Sequence, residues 1–406
     1  APAGAPMIPK EVYEETLLSF LAPIRPFLDD PKVSEVMING PNQIFIEKAG
    51  RLTLTDARFP SMEALNAALR NIAQYVGKMV DEEHPILEAR LPDGSRIEAI
   101  VPPAAPDGPD VAIRRFFKET LTVQRLVDFG SLTPEAAQML EALVVLKQNV
   151  VVAGGTGSGK TSMLNALSSF IPDGERVVII EDSREVQLQK QHVVQLEARP
   201  GDAKGRGKVS IRDLFRATLR MRPDRIVVGE IRGGEALDLV QAMTSGHGGC
   251  ITTVHATYPH DTLTRLETMA LMSDVELPLS ALRLQLASAI NIIVQTSRLQ
   301  DGSRKVTHVA EVRGYSPDKG FDIVNLFERR FQGRDEAENL ISTFEPTGIL
   351  PLCTEMVHSY GMAYPEVVYE AARMRAEMGD AGDAGGAGAT GAHAQAYDGH
   401  YGGHHG

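Results

Sequence analysis

Eight residues, Gly154-Gly155-Thr156-Gly157-Ser158-Gly159-Lys160-Thr161, constrain this chain more than any other stretch, because they fit G-x-x-x-x-G-K-[ST] in the context where that pattern has a mechanism. An apolar strand is predicted directly before them, Asn149 to Ala153, and a helix opens at Gly159. Glycines let successive backbone N–H groups turn inward around a phosphate, and the start of a helix adds a favourable dipole. Lys160 would neutralise the outer phosphate oxygens, while Thr161 would offer a hydroxyl to Mg²⁺. The expected nucleotide contacts are therefore Gly155, Thr156, Gly157, Ser158, Gly159, Lys160, Thr161 and the adjoining Ser162.

Strand and helix signals go on alternating downstream: a strand at Arg176 to Ile180, a helix at Ile211 to Met221, a strand at Arg225 to Val228. Short, wholly apolar runs of this kind suit strands covered on both faces, so the fold class is α/β with a mostly parallel sheet. Before residue 125 the signals are shorter and mixed. Ile44 to Glu47 and Arg51 to Thr55 read as a hairpin, Ser61 caps a helix with apolar positions Leu65, Leu69, Ile72 and Val76, and Ile113 begins a strand-like segment. This predicts a small α+β domain at 28–118, after a partial helical leader at 1–27. A linker is expected at 119–133, where Thr133-Pro134 supplies an N-cap and a first-turn proline for the next helix. The α/β domain would then run over 134–378, and 379–406, with ten glycines in 28 residues and four of the eleven histidines, reads as a disordered tail.

The formal net charge of −12 argues against broad binding of nucleic acid, which depends on Lys and Arg releasing phosphate counterions. No apolar run is long enough to cross a bilayer, no basic and apolar leader stands at the start, and the two cysteines, Cys250 and Cys353, lie far apart. These features fit a reducing cytoplasmic setting.

Hydrolysis at a phosphate loop needs an acidic group to hold the metal shell and to orient or deprotonate water. Two candidates end predicted strands on the carboxyl edge of the sheet: Glu230 after Ile226-Val227-Val228-Gly229, and Glu181 after Val177-Val178-Ile179-Ile180. His247 in Gly246-His247-Gly248-Gly249 and His255 in Thr252-Thr253-Val254-His255-Ala256 could hydrogen-bond a γ-phosphate or the attacking water. Zinc is the rival reading for the pair, against which stands the lack of Cys or carboxylate partners at ligand spacing. In the amino-terminal region, Arg90-Leu91-Pro92-Asp93-Gly94-Ser95-Arg96 is a hairpin flanked by two arginines that could clamp phosphates, with Arg114 and Arg115 as possible companions.

Together these segments resemble the secretion ATPase superfamily of type II and type IV secretion and type IV pili, and most closely its CpaF/TadA branch, which serves Tad pili. The resemblance rests on the Walker A loop 154–161, an Asp box at Ile180-Glu181-Asp182, a Walker B segment from Met221 to Arg232, a His box at 246–256, and the stretches Val33 to Gly40 and Arg90 to Arg96. It implies a RecA-like P-loop ATPase core, ATP and Mg²⁺ as cofactors, and a homohexamer. By matching position, Glu230 is the catalytic carboxylate and Glu181 a second acid that shares the metal with Thr161. His247 and His255 are the phosphate-side histidines, and Arg90 and Arg96 reach the nucleotide, with Arg114 added to these contacts from its place in the sequence. Peripheral contact with inner-membrane platform proteins at the cytoplasmic face is implied, without direct nucleic-acid binding. A RecA-like nucleic-acid translocating motor is the alternative, since it would use the same loop and carboxylate.

Overall fold

The computed structural model describes residues 10–378 apart from 49, 117–120, 200, 202–205 and 337–338, so the expected tail at 379–406 lies outside the described residues. The chain divides into two compact units, Ala1–Glu119 and Thr120–Gly406.

In the first unit, α1 (Lys10–Phe20) and α2 (Arg25–Asp29) precede β1 (Val33–Asn39), β2 (Gln43–Lys48), β3 (Arg51–Leu54), α3 (Met62–Tyr75), β4 (Ile86–Arg90), β5 (Arg96–Ile100) and β6 (Asp110–Arg114). The strands form an antiparallel sheet in the order β3-β2-β1-β6-β5-β4. Ser61 caps α3 as its sequence predicts, its hydroxyl accepting the Ala64 N–H at 3.2 Å, and the helix buries Leu65, Ala68, Leu69, Ile72 and Ala73. Val76 serves as the C-cap instead of belonging to the helix, and Ile113 closes its strand instead of opening one. The region read as a leader is built into the unit: Leu17, Leu21, Ile24 and Leu28 are buried in the same core as β1 and α3.

The second unit opens with α4 (Val123–Asp128) and α5 (Pro134–Val145). It then runs β7 (Val150–Gly154), α6 (Lys160–Ser169), β8 (Val177–Glu181), β9 (Val193–Glu197), α7 (Ile211–Thr218) and β10 (Arg225–Val228). There follow α8 (Glu235–Thr244), β11 (Ile251–Val254), α9 (Pro259–Leu271), α10 (Leu279–Ala289) and β12 (Ile292–Arg298). An antiparallel meander, β13 (Arg304–Ser316), β14 (Gly320–Arg334) and β15 (Leu340–Pro346), precedes α11 (Thr354–Ser359) and α12 (Glu366–Glu377). The sheet order is β15-β14-β13-β12-β7-β11-β10-β8-β9. The six strands from β12 to β9 are parallel, and β13 to β15 add an antiparallel wing that the sequence reading did not include.

Alternate residues of the central strands feed two separate cores. Val150 and Val152 pack with Met139, Leu143, Met163 and Leu167 on the face of α5 and α6. Val151 and Ala153 pack with Leu239, Leu263 and Leu286 on the face of α8 to α10. This double burial is why the strands read as unbroken apolar runs. Residues 119–133, expected as a linker, instead supply α4 and bury Leu126 and Leu132 in the core beside α5. Thr133 caps α5 as expected, its hydroxyl accepting the Ala136 N–H at 3.3 Å. The helix expected to reach Met221 ends at Thr218, and the chain turns through a left-handed Arg222, φ +53°, before β10.

Arg225, fully buried in β10, donates to Val144 O at 2.8 Å and Val145 O at 3.3 Å and pairs with Glu175. It adds a charged donor to carbonyls at the end of α5, of which Val144 O also accepts the Lys147 N–H at 3.0 Å. Gly249, at φ +79°, passes so close that a Cβ there would lie 2.3 Å from Arg225 Nη1. Packing against this arginine thus requires glycine at 249.

Candidate functional site

Parallel strands place their carboxyl ends on one edge, and ligands of open α/β sheets bind there. The loop after β7 stands on that edge. Gly157 and Gly159 take φ +68° and +96°, conformations open to glycine, and Gly159 passes directly into α6. Ser158 Oγ donates to Gly155 O at 2.9 Å, bracing the turn from within.

Lys160 is 8% exposed, and its ammonium donates to Gly154 O at 3.1 Å and Gly155 O at 2.9 Å. Both ring nitrogens of His255 lie 3.4 Å from Lys160 Nζ, and His255 Nε2 lies 2.8 Å from Glu230 Oε1. Lysine, histidine and carboxylate therefore form one contiguous cluster after β7, β11 and β10. Burial first, and then the Lys160 charge, hold the His255 imidazole below its ordinary pKa, which keeps it neutral at pH 7. Arg232 pairs with the other oxygen of Glu230 and, through Nη1, with Asp182 Oδ2 at 3.0 Å.

Glu181 ends β8 beside Glu230. Its Oε1 accepts the backbone N–H groups of Glu185 at 2.9 Å and Val186 at 2.8 Å, while its Oε2 is buried with no hydrogen-bond partner. Gly229 makes room for this side chain, since a Cβ there would fall 2.9 Å from Glu181 Cγ. Burial pushes the carboxyl from its ordinary 4.5 up to about 7, despite the two N–H bonds. The Thr161 hydroxyl donates to Glu185 Oε2 at 3.3 Å, which adds Glu185 to the acids at this end of the loop. Mg²⁺ suits this donor set. It binds through hydroxyl, carboxylate, water and substrate phosphates, and Glu181 Oε2 is a buried carboxylate oxygen in want of a partner. Among the described residues no group of three or more His, Cys, Asp or Glu is placed to hold a metal ion by itself.

The structure separates the two histidines. His255 follows β11 on the loop's edge, whereas His247 precedes β11 on the opposite edge, where Cys250 N–H donates to Asn149 Oδ1 at 3.0 Å and Gly248 abuts Lys147. The length of a strand buried in the sheet lies between them, so His247, with Nδ1 buried and unbonded, is not part of the cluster around Lys160. In the first unit, Arg90, Arg96 and Arg114 stand in one cross-strand row, Arg90 opposite Arg96 and Arg96 opposite Arg114. Arg115 turns elsewhere, donating to the carbonyls of Asp30 and Val33.

Three further residues meet the phosphate loop from β12 and β13. Thr296 Oγ1 donates to Ala153 O at 3.1 Å and lies 3.0 Å from Ser158 Oγ. Arg304 Nε donates to Gly157 O at 2.7 Å, and Arg298 approaches the same glycine. The sequence reading missed them, although a signal exists: Arg298-Leu299-Gln300-Asp301-Gly302-Ser303-Arg304 repeats Arg90 to Arg96 at every position but the third.

Residues 19–340 match the family described as type II/IV secretion system protein. The chain belongs to that family. VirB11, a type IV secretion system protein of Brucella suis, is 34% identical over 329 residues, spanning 73% of this chain and 90% of that protein. PtlH, a type IV secretion system protein of Bordetella pertussis, is 33% identical over 316 residues, spanning 71% and 93%. The solved structure of the Yersinia pseudotuberculosis ATPase DotB aligns with a TM-score of 0.52 at 16% identity, over 92% of this chain and 96% of that one, which shows a shared fold. The family is that of type II and type IV secretion ATPases, and the strand-translocating alternative finds no support in it. No described helix is long and apolar enough to cross a membrane.

The Glu181 carboxyl gives a test of this electrostatic picture without nucleotide. Between about pH 4.5 and pH 7 the folded chain holds a proton that the unfolded chain has released, so stability falls as pH rises through that window. Glu181→Gln keeps an acceptor for the two N–H groups and removes the titration. The gap in unfolding free energy between variant and wild type should therefore grow in the variant's favour by on the order of 3 kcal/mol between those limits, measured by urea unfolding. A constant gap across the range would refute the shift.

Proposed function

We propose that this chain hydrolyses ATP at the loop 154–161, within a RecA-like core, and works as a homohexamer that drives assembly of a Tad-type pilus or a related type II/IV secretion machine. The observation that carries the reading is the contiguous trio Lys160, His255 and Glu230 on the carboxyl edge of the sheet. An ammonium that now holds its own loop's carbonyls is available to exchange them for phosphate oxygens. Glu230 is the carboxylate for the attacking water, and His255, with Nε2 2.8 Å from Glu230 Oε1, stands between it and Lys160. Arg232 fixes the Glu230 rotamer through its second oxygen. Mg²⁺, held by Thr161 with Glu181 or Glu185 through its water shell, would neutralise phosphate charge and orient the β- and γ-oxygens. Arg90, Arg96 and Arg114, one cross-strand row of the first unit, are proposed as further phosphate ligands. His247, on the other edge of the sheet, has no place in this chemistry. The VirB11 and PtlH likenesses support work beside membrane components of a secretion system, at the inner face of the cytoplasmic membrane.

Phosphate release and nucleotide binding test the assignment together. Glu230→Gln should bind a nonhydrolysable ATP analogue as well as wild type does and lose at least about 100-fold in turnover, a fall of roughly 3 kcal/mol or more in transition-state stabilisation, while Lys160→Ala should lose binding. Wild-type turnover in Glu230→Gln would remove Glu230 from the catalytic role.

The ring is tested separately by mass measurement. With the analogue present, native mass spectrometry should show a species of six subunits; a persistent monomer at micromolar concentration would rule out the hexamer.

A further inference from the structure

The hairpin that joins β12 to β13 is the second copy of a seven-residue motif, and the two copies fold alike. In each, the Leu N–H donates to the Ser carbonyl at 2.8 Å (Leu91 to Ser95, Leu299 to Ser303) and the Gly N–H to the Leu carbonyl at 2.9 Å (Gly94 to Leu91, Gly302 to Leu299). In each, the Asp Oδ1 accepts the Ser N–H at 2.9 Å, and the glycine is left-handed, φ +93° at Gly94 and +82° at Gly302. Both turns close on a directly opposed arginine pair, Arg90 with Arg96 and Arg298 with Arg304. The motif thus sets two arginines opposite each other across a tight turn, and in the second unit the contact that one of them makes is visible.

We propose that the β12–β13 hairpin sets the shape of the phosphate-binding loop from behind, with Arg304 as the positioning residue. The inference rests on reading that loop as a nucleotide site. Arg304 Nε donates to Gly157 O at 2.7 Å. In a planar trans peptide the carbonyl and the following N–H point in opposite directions, so anchoring Gly157 O turns the Ser158 N–H the other way, toward Gly155 O, to which it donates at 3.4 Å on the side where Lys160 Nζ also meets that carbonyl. A cationic donor also polarises that peptide, which makes its N–H a stronger partner for an anion. The arginine stem lies along the next turn, Cδ 3.7 Å and Cβ 3.9 Å from where a Gly159 Cβ would stand, and Arg298 Nη1 lies 3.6 Å from the corresponding point at Gly157. Thr296, two residues before Arg298, joins the strand end to Ser158 through its hydroxyl. The hairpin tip is tied down in turn, since Asp301 Oδ2 accepts the Leu340 N–H at 3.0 Å. Loop, hairpin and β15 therefore form one chain of polar contacts, and the anion that Ser158 N–H meets is the phosphate group common to ADP and ATP.

That commonality sets the test. Calorimetric titration of the full chain with ADP, and separately with a nonhydrolysable ATP analogue, should show Arg304→Ala weakening both by the same factor, roughly 10- to 100-fold, as loss of a charge-assisted hydrogen bond would give. Turnover at saturating ATP should stay within a few-fold of wild type, so that the change falls on KM, and Arg304→Lys should recover part of the affinity. Melting curves accompany each variant. If Arg304→Ala does not fold, Arg304→Met, which keeps an apolar stem beside Gly159 but has no N–H donor, takes its place with the same expectation. Unchanged ADP affinity in a folded variant would overturn the proposal. A loss confined to the ATP analogue or to kcat would also overturn it, by making Arg304 a γ-phosphate contact. Failure of the wild-type chain to bind ADP would instead count against the site itself.

Discussion

One buried ammonium, that of Lys160, organises the carboxyl edge of the second unit's sheet. The Lys160 ammonium sits at the carboxyl edge of a parallel sheet, 8% exposed, and a charge so placed must be met by dipoles or counter-charges. Two carbonyls of its own loop meet it now, and His255 with Glu230 behind it completes the surround. The loop's curvature, the left-handed glycines and the strand ends that carry Glu230, Glu181 and His255 all follow from presenting an anion site to that ammonium. Phosphate is the natural exchange partner, because it brings negative charge to a place already built from N–H groups and a cation.

The supporting shell shows how closely sheet order governs this arrangement. β7 lies between β11 and β12, and β10 follows on the far side of β11, so the P-loop has the His255 strand on one flank and the β12–β13 hairpin on the other. Glu181 sits one strand further out, in a space left by Gly229. Its raised carboxyl pKa has a simple physical cause, burial of one oxygen with nothing to bind, and a cation nearby would reverse it.

Much of this could be read from the sequence where one local pattern decides one local structure. The strand–loop–helix context of Gly154 to Thr161, the caps at Ser61 and Thr133, and the apolar runs of β7, β8 and β10 depend on nearest neighbours and appear as predicted. The row of Arg90, Arg96 and Arg114 could be suspected, because a two-arginine hairpin is local, but its extension to Arg114 required the register of β5 with β6. What was not legible depended on distant pairings. His247 and His255 are eight residues apart and invite being read as a pair, yet the intervening strand puts them on opposite edges. The antiparallel wing escaped notice because β13 and β14 are half-exposed and rich in charge, with no apolar run to announce them. Arg304 belongs to that wing, 147 residues from the glycine it holds. Its motif was readable only as a repeat of one already noticed.

The central claim is that Lys160, His255 and Glu230 constitute a phosphate-binding and hydrolysing centre whose cation is held by its own loop until a nucleotide arrives. A crystal structure of the chain with Mg²⁺ and a nonhydrolysable ATP analogue tests it most directly. Lys160 Nζ should leave the carbonyls of Gly154 and Gly155 for the β- and γ-phosphate oxygens, with Glu230 and His255 facing the terminal phosphate. A nucleotide seated elsewhere, or a γ-phosphate turned away from Glu230, would contradict it.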